Sequence, residues 1–258
     1  METQIQSVIK SVYGVNKAVA LREAKEAFKK GRLFALPDTI DKRIVLPFKH
    51  QIWTKRSTPN SEEIVLITPQ GNKIVVVAHR EGIFTNNPDR IEQAYKEGLI
   101  DCAGRVYQEE SKNLLNGKAT TGGEVRVLTY GDLLNTRLED LKEGAYIIIL
   151  DFDVAKATKS GFQYIDELSE NPLFISRVGH PEIAQGYLAD LKGNRVYGNF
   201  HHFNKERSDR KLSSFLFLDE DEGIGIKGYT SLSECTQFFG EAPEVSSPNL
   251  ENIIGIKE

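Results

Sequence analysis

The stretch Tyr146-Ile147-Ile148-Ile149-Leu150-Asp151-Phe152-Asp153 decides the fold class of this chain. Its first five residues are all apolar, and two acidic residues then follow closely. Such a run predicts a β-strand that is buried on both faces of a sheet. A predicted strand at 124–129 and a predicted helix at 132–142 come before it. The order β-α-β predicts a parallel strand pair joined by a crossover helix.

The first half of the chain predicts a hairpin. The segments 63–68 and 73–79 flank Pro69-Gln70-Gly71-Asn72, which suits a tight turn between paired strands. The second segment contains the apolar run Ile74–Ala78, which predicts a place in the sheet interior. The fold class is therefore predicted as α/β or α+β, with a mixed β-sheet and flanking helices.

Capping signals and periodicity predict the remaining elements. They are helices over 16–31, 87–98, 109–117 and 181–193, strands over 44–46, 52–54, 195–203, 214–218 and 224–229, and a short helix from the capping box Ser231–Glu234 through Phe239.

The chain is expected to divide into two similar-sized halves. The segment Gly117–Gly123 is small and polar, which favours a flexible connection. The predicted organisation is an N-terminal α/β half over 1–117, a flexible linker or loop over 118–123, a C-terminal α/β half over 124–240 and a loosely ordered tail over 241–258.

Composition narrows the functional classes. The 33 basic and 37 acidic residues give a net charge of -4, without a basic stripe, which disfavours nucleic-acid binding. Neither a signal-peptide pattern nor an apolar run of membrane-spanning length occurs in the sequence. Two cysteines, Cys102 and Cys235, favour reduced thiols. We therefore expect a soluble cytoplasmic protein without a membrane partner.

The acidic pair Asp151 and Asp153 is the leading candidate for a metal site. Side chains at i and i+2 of an extended chain share a face, and open α/β sheets bind ligands at the carboxyl ends of their strands. Two carboxylates there suit Mg²⁺ or Mn²⁺. The alternative interpretation is a strand that simply ends at the solvent boundary.

Three histidines are candidates for an acid, a base or a third metal ligand. They are His79 at the end of a predicted central strand, His180 at a predicted helix start and His202 on a predicted strand. The spacings typical of zinc sites do not occur in the sequence. A histidine hydrogen-bonded inside the fold is the alternative at each position.

Two functional hypotheses remain, and the sequence slightly favours the first. The first is a binding or assembly protein, which forms a homo-oligomer or binds a protein partner through edge strands or an exposed aromatic set at Tyr197, Phe200 and Phe203. The second is a Mg²⁺- or Mn²⁺-dependent enzyme that acts on a phosphorylated or nucleotide substrate. The sequence contains no complete catalytic set for that enzyme.

Overall fold

The computed structural model describes residues 7–191, 196–203, 209–219, 225–228 and 231–243. Within these ranges the chain forms three β-sheets with helices packed around them. The strands are β1 (Ser7–Gly14), β2 (Arg32–Leu33), β3 (Ser61–Ile67), β4 (Lys73–His79), β5 (Gly104–Arg105), β6 (Arg126–Thr129), β7 (Tyr146–Asp151), β8 (Gly161–Tyr164), β9 (Val196–Phe200), β10 (Leu212–Phe215), β11 (Phe217–Asp219), β12 (Gly225–Lys227) and β13 (Thr236–Pro243).

The helices lie between and beside these strands. They are α1 (Lys17–Ala27), α2 (Leu36–Val45), α3 (Gln51–Thr54), α4 (Pro88–Glu97), α5 (Gln108–Leu115), α6 (Tyr130–Leu134), α7 (Phe152–Ala157), α8 (Ile165–Ser169), α9 (Pro172–Val178) and α10 (Pro181–Asp190), with a 3-10 helix at Leu138–Leu141. Among the described residues, none of these helices is both long enough and apolar enough to cross a bilayer.

The largest sheet has the strand order β5-β10-β3-β4-β7-β6. β3 and β4 form the predicted hairpin, and Gly71 in its turn has a φ of 85°, which glycine adopts without strain. β7 pairs with β4 in the antiparallel sense and with β6 in the parallel sense. The predicted mixed sheet, its central strand and its parallel crossover are therefore confirmed.

The alternation of side chains along β7 explains why the whole run is apolar. Ile148 and Leu150 belong to one buried cluster, with α2, α9 and α10. Ile147 belongs to a second buried cluster, with α1 and α4, and Ile149 packs against that cluster. Because successive residues of a strand point to opposite faces, a sheet covered by helices on both faces needs apolar residues at every position.

Strands on both sides of the predicted boundary at 118–123 lie side by side in this sheet. β3, β4 and β5 precede the boundary, whereas β6, β7 and β10 follow it. The boundary segment itself folds back on itself, with an isolated bridge between Lys118 and Glu124 and a 2.9 Å hydrogen bond from the Ala119 nitrogen to the Gly123 oxygen.

The first and last described strands pair with each other along their full length. The β1–β13 register runs from Ser7 opposite Pro243 to Gly14 opposite Thr236. The helix predicted from the capping box through Phe239 is therefore wrong, because strand pairing with β1 and β2 overrides the local signal. The part of the predicted loose tail up to Pro243 also lies in β13. Residues 244–258 of that prediction lie outside the described residues.

The two short strands predicted at 44–46 and 52–54 are also wrong, since these residues lie mainly in α2 and α3. Pro37 sits in the first turn of α2, and the Asp38 carboxylate accepts the Ala35 backbone nitrogen at 2.9 Å, so Pro37-Asp38 begins a helix. The helix predicted at 132–142 is divided between α6 and the 3-10 helix.

Candidate functional site

The acidic pair lies at the junction of β7 and α7. The Asp151 Oδ1 atom accepts the backbone nitrogens of Asp153 at 2.8 Å and Val154 at 3.3 Å, so this carboxylate caps α7. Both acidic side chains are exposed, and both line an open groove of about 830 Å³ beside the β3–β4 turn. The groove could admit a ligand, while the Asp151 cap has a structural role that the sequence pattern did not reveal.

The structure does not gather the predicted histidines around this groove. Asp151 pairs with Ile74 at one end of β4, whereas His79 pairs with Tyr146 at the other end. Ile74 and His79 are five positions apart along β4, which is about 17 Å. Within the described ranges, no group of three or more His, Cys, Asp or Glu side chains is arranged to hold a metal ion.

His79 is a core residue. Its side chain is fully buried, with ring nitrogens 2.8 Å from the Ser61 Oγ and 3.0 Å from the Ser176 carbonyl oxygen. Burial lowers its pKa from 6.5 to about 3, because removal from water disfavours the charged ring. The imidazole is therefore neutral near pH 7 and has no exposed face for a substrate.

The other two histidine candidates also have local partners. His180 caps α10 by accepting the Glu182 nitrogen at 3.2 Å, and its other ring nitrogen is 2.9 Å from the Thr136 oxygen. His202 is 45% exposed, and its Nδ1 atom lies 3.0 Å from Asp101 Oδ2. Neither of these histidines lines the groove beside Asp151.

The aromatic set predicted to be exposed is mostly internal. Tyr197 is completely buried and Phe203 is 8% exposed. Tyr197 contacts Phe174 and Tyr187 ring to edge in the core, which is why it is hidden. Tyr197 lies on β9 of the four-stranded sheet β11-β12-β9-β8. Among the described residues of that sheet, the exposed aromatic side chains are Phe162 at 45% and Tyr164 at 60%, both on the edge strand β8.

A polar cleft of about 620 Å³ lies at the opposite end of β4 from the acidic pair. It is formed where the end of α1, β2, the start of β3, the end of β4 and two loops meet. Its lining residues are Lys25, Phe28, Lys29, Gly31, Arg32, Leu33, Asn60, Arg80, Glu81, Asn86, Thr121 and Glu143. We refer to this feature as the Arg80 cleft.

Arg80 forms the floor of this cleft and is held rigidly. Its guanidinium donates to both oxygens of Asp38, at 2.9 and 3.3 Å, and to the Leu141 carbonyl oxygen at 2.7 Å. It also lies over the ring of Tyr146, 5.8 Å from the ring centre. The backbone of Arg80 has a φ of 74°, a strained value for a residue other than glycine.

A hydrogen-bonded set of side chains forms the wall of the cleft. The Asn60 and Asn86 side-chain amides both donate to the Arg80 carbonyl oxygen, at 3.0 and 2.9 Å. Asn86 also donates to Glu81 Oε1 at 2.8 Å, and the Thr121 hydroxyl donates to Glu81 Oε2 at 2.6 Å. Asn86 has a φ of 59°. Two strained residues therefore share one pre-organised wall.

The cleft presents charged groups of both signs to solvent. Lys25 donates to the Asn86 carbonyl oxygen at 2.5 Å, and the two oxygens of Glu81 face Asn86 and Thr121. Asp38 forms ion pairs with both Arg80 and Arg32, so its negative charge partly balances their positive charges. A smaller cavity of about 150 Å³ adjoins the cleft and shares Arg32 and Arg80 with it. This arrangement can donate and accept hydrogen bonds over a wide surface.

Sequence reasoning placed His79 near a crevice at the end of a central strand, and the crevice is there. It missed that the next residue, Arg80, lines the crevice while His79 points into the core. The two consecutive charged residues Arg80-Glu81 after an apolar strand were the sequence signal that could have indicated a polar cleft at this position. Asn60, Asn86 and Thr121 carry no pattern of their own, because the fold alone brings them together.

Comparison with known proteins identifies the fold. No family model and no curated protein sequence matches the chain. A solved structure does match, described as "Accommodation of massive sequence variation in Nanoarchaeota by the C-type lectin fold". The match has a TM-score of 0.72 and 23% sequence identity, and it covers 92% of this chain and 99% of that chain. The chain therefore has the C-type lectin fold.

Proposed function

We propose that this chain is a binding protein that uses the C-type lectin fold as a rigid scaffold and binds its ligand in the Arg80 cleft. The observation that carries this proposal is the pair of strained residues, Arg80 and Asn86, on one hydrogen-bonded wall of a cleft. Strained backbone persists only where the surroundings enforce it, and it concentrates at sites where geometry matters.

The likeness to the Nanoarchaeota structure supports a scaffold role. For that protein, the C-type lectin fold accommodates massive sequence variation. A fold that accommodates such variation keeps its architecture while its side chains change, which is what a binding scaffold requires. This chain keeps the same fold at 23% identity.

The chemistry of the cleft favours a neutral, hydroxyl-rich ligand such as a saccharide. Four cations and two carboxylates line the cleft, and two of the cations, Arg32 and Arg80, are paired with Asp38, so a ligand of either charge meets groups of its own sign. A hydroxyl group both donates and accepts hydrogen bonds. It can therefore bridge the Lys25 ammonium and the Glu81 carboxylate, which lie on either side of Asn86.

An array of immobilised saccharides tests this proposal, with Glu81→Gln and Lys25→Met as cleft variants. Glu167→Gln on α8 is the matched control, because Glu167 is exposed and does not line the cleft. We expect the wild type and the control to bind the same saccharide and the cleft variants to bind it about tenfold more weakly. Equal binding by Glu81→Gln and the wild type would place the site elsewhere, and the absence of any bound saccharide would refute the ligand class.

A second candidate function is metal-dependent catalysis at Asp151 and Asp153, on a phosphorylated or nucleotide substrate. The observation that favours it is that both exposed carboxylates line the same groove. Mg²⁺ or Mn²⁺ would take these two oxygen ligands and keep several waters.

Thermal melting with and without Mg²⁺ and Mn²⁺ tests this candidate. Asp151→Asn is a suitable variant because asparagine also caps helices, so α7 keeps its cap while the charge is removed. The candidate predicts a metal-induced rise in Tm for the wild type that Asp151→Asn and Asp153→Asn both lose. A wild-type Tm that does not respond to either metal would rule it out.

A further inference from the structure

A third concave feature, which we call the Arg105 pocket, shares no residue with the cleft or the groove. It is an open pocket of about 440 Å³ beside the short β5–β10 ladder. Its lining residues are Ile100, Arg105, Val106, Tyr107, Arg210 and Lys211. Three of these six residues are cations, and none carries a carboxylate.

Backbone pairing brings the segments that carry these cations side by side. Arg105 pairs with Leu212 in the antiparallel register, and the Val106 nitrogen donates to the Lys211 carbonyl oxygen at 2.9 Å. Arg210 directly precedes Lys211, and all three cations line the same pocket. The Lys211 ammonium also donates to the Gln108 side chain.

Within the described residues, nearby acids offset the positive charge of the pocket only in part. Arg105 and Arg210 are exposed, and neither forms an ion pair in the part of the chain that the structure describes. The pKa of Glu97 is lowered mainly by its hydrogen bond from Tyr107, and the charges of Arg90 and Arg105 also contribute. The acidic groups beside the pocket have these partners. Glu110 binds Arg90 at 2.5 Å, Asp209 binds Lys73 at 2.9 Å, and Glu97 accepts the Tyr107 hydroxyl and the Gln93 amide. In a chain with a net charge of -4, this pocket is a local positive excess.

We propose that the Arg105 pocket binds the phosphate monoester of a mononucleotide, independently of the ligand of the Arg80 cleft. A phosphate monoester carries nearly two negative charges, which three cations balance better than they balance a single carboxylate. Guanidinium groups bind phosphate oxygens through two parallel hydrogen bonds. Tyr107 is 42% exposed; the Arg90 guanidinium lies over its ring, 4.8 Å from the ring centre, and the exposed part of the ring is available to a nucleobase.

Isothermal titration with AMP tests the proposal, with adenosine and inorganic phosphate as the two partial probes. The test variant is Arg105→Ala/Arg210→Ala. The matched control is Arg126→Ala/Arg137→Ala, which removes two exposed arginines that do not line the pocket. Because all four arginines are exposed, we expect both variants to melt like the wild type.

The expected result is that AMP binds more tightly than either adenosine or inorganic phosphate. The Arg105/Arg210 variant is expected to lose about tenfold or more in affinity for AMP, while the control variant keeps it. Tyr107→Ala is expected to reduce AMP binding to the level of inorganic phosphate. The proposal is overturned if AMP does not bind, if both double variants bind it equally, or if inorganic phosphate binds as tightly as AMP.

Discussion

Consecutive residues at the end of β4 have opposite surroundings. His79 is completely buried between Ser61 and the Ser176 carbonyl oxygen, whereas Arg80 turns into the left-handed region and lines the cleft. One residue is therefore fixed in the core, and the next residue lines the cleft. The buried histidine anchors the strand end to its surroundings, and the arginine with its positive φ presents a polar surface to the cleft.

The stability of the protein should depend on pH through His79. Its pKa is lowered from 6.5 in the unfolded chain to about 3 in the fold, so only the unfolded chain takes up a proton between these values. The contribution of neutral His79 is complete above pH 6.5 and is lost as the pH falls toward 3. We expect His79→Gln to flatten the dependence of Tm on pH in this window. A His79→Gln profile parallel to that of the wild type would contradict the assignment.

A buried ion pair should be costly to break from one side. Arg177 and Glu63 are 0% and 1% exposed, and the Arg177 guanidinium contacts Glu63 Oε2 at 2.8 and 2.9 Å. Arg177→Met leaves an unpaired buried carboxylate and is expected to cost about 3–5 kcal/mol of unfolding free energy. The double variant Glu63→Leu/Arg177→Met is expected to cost less. Urea denaturation measures both, and a double variant less stable than Arg177→Met would contradict this expectation.

Among the secondary-structure elements, β13 shows that a local sequence pattern can predict the wrong structure. Ser231–Glu234 has the pattern of a capping box, yet Thr236–Pro243 is the middle strand of the smallest sheet. Phe238 and Phe239 are both buried, on opposite faces of that strand. A strand held between two neighbours gains more from packing than the capping box gains from local hydrogen bonds.

β13 should therefore be essential for stability. Phe239 is 2% exposed, and Phe239→Ala removes a core side chain that packs with β7 and α10 residues in one cluster. We expect a loss of about 3–5 kcal/mol in the free energy of unfolding. Gln237→Ala on the same strand is the control and should change stability by less than about 1 kcal/mol. A small effect of Phe239→Ala in guanidinium denaturation would argue against the β1–β13 pairing.

The strong periodic signals of the sequence predicted the centre of the fold. The apolar runs Tyr146–Leu150 and Ile74–Ala78 identified two adjacent interior strands, and Asn87-Pro88 identified the start of α4. The errors fell on segments whose structure depends on distant partners, such as 44–46, 52–54 and β13. The cleft could not be predicted from local sequence patterns for the same reason, because Asn60, Asn86 and Thr121 come from three separate segments of the chain.

At the scale of the whole molecule, the concave features occupy different parts of the fold. The Arg80 cleft and the Asp151 groove lie at opposite ends of β4, and the Arg105 pocket lies beside β5 at one edge of the same sheet. β13 pairs with β1 and also with β2, which contributes Arg32 and Leu33 to the lining of the cleft. The smallest sheet therefore positions these two lining residues.

The most direct test of ligand binding in the Arg80 cleft is a crystal structure of the chain with the saccharide that the array selects. We expect electron density for that saccharide in the Arg80 cleft, within hydrogen-bonding distance of Glu81 and Lys25, with Arg80 and Asn86 keeping their positive φ angles. Density for the saccharide in the Asp151 groove or the Arg105 pocket, together with a cleft filled only by water, would contradict it.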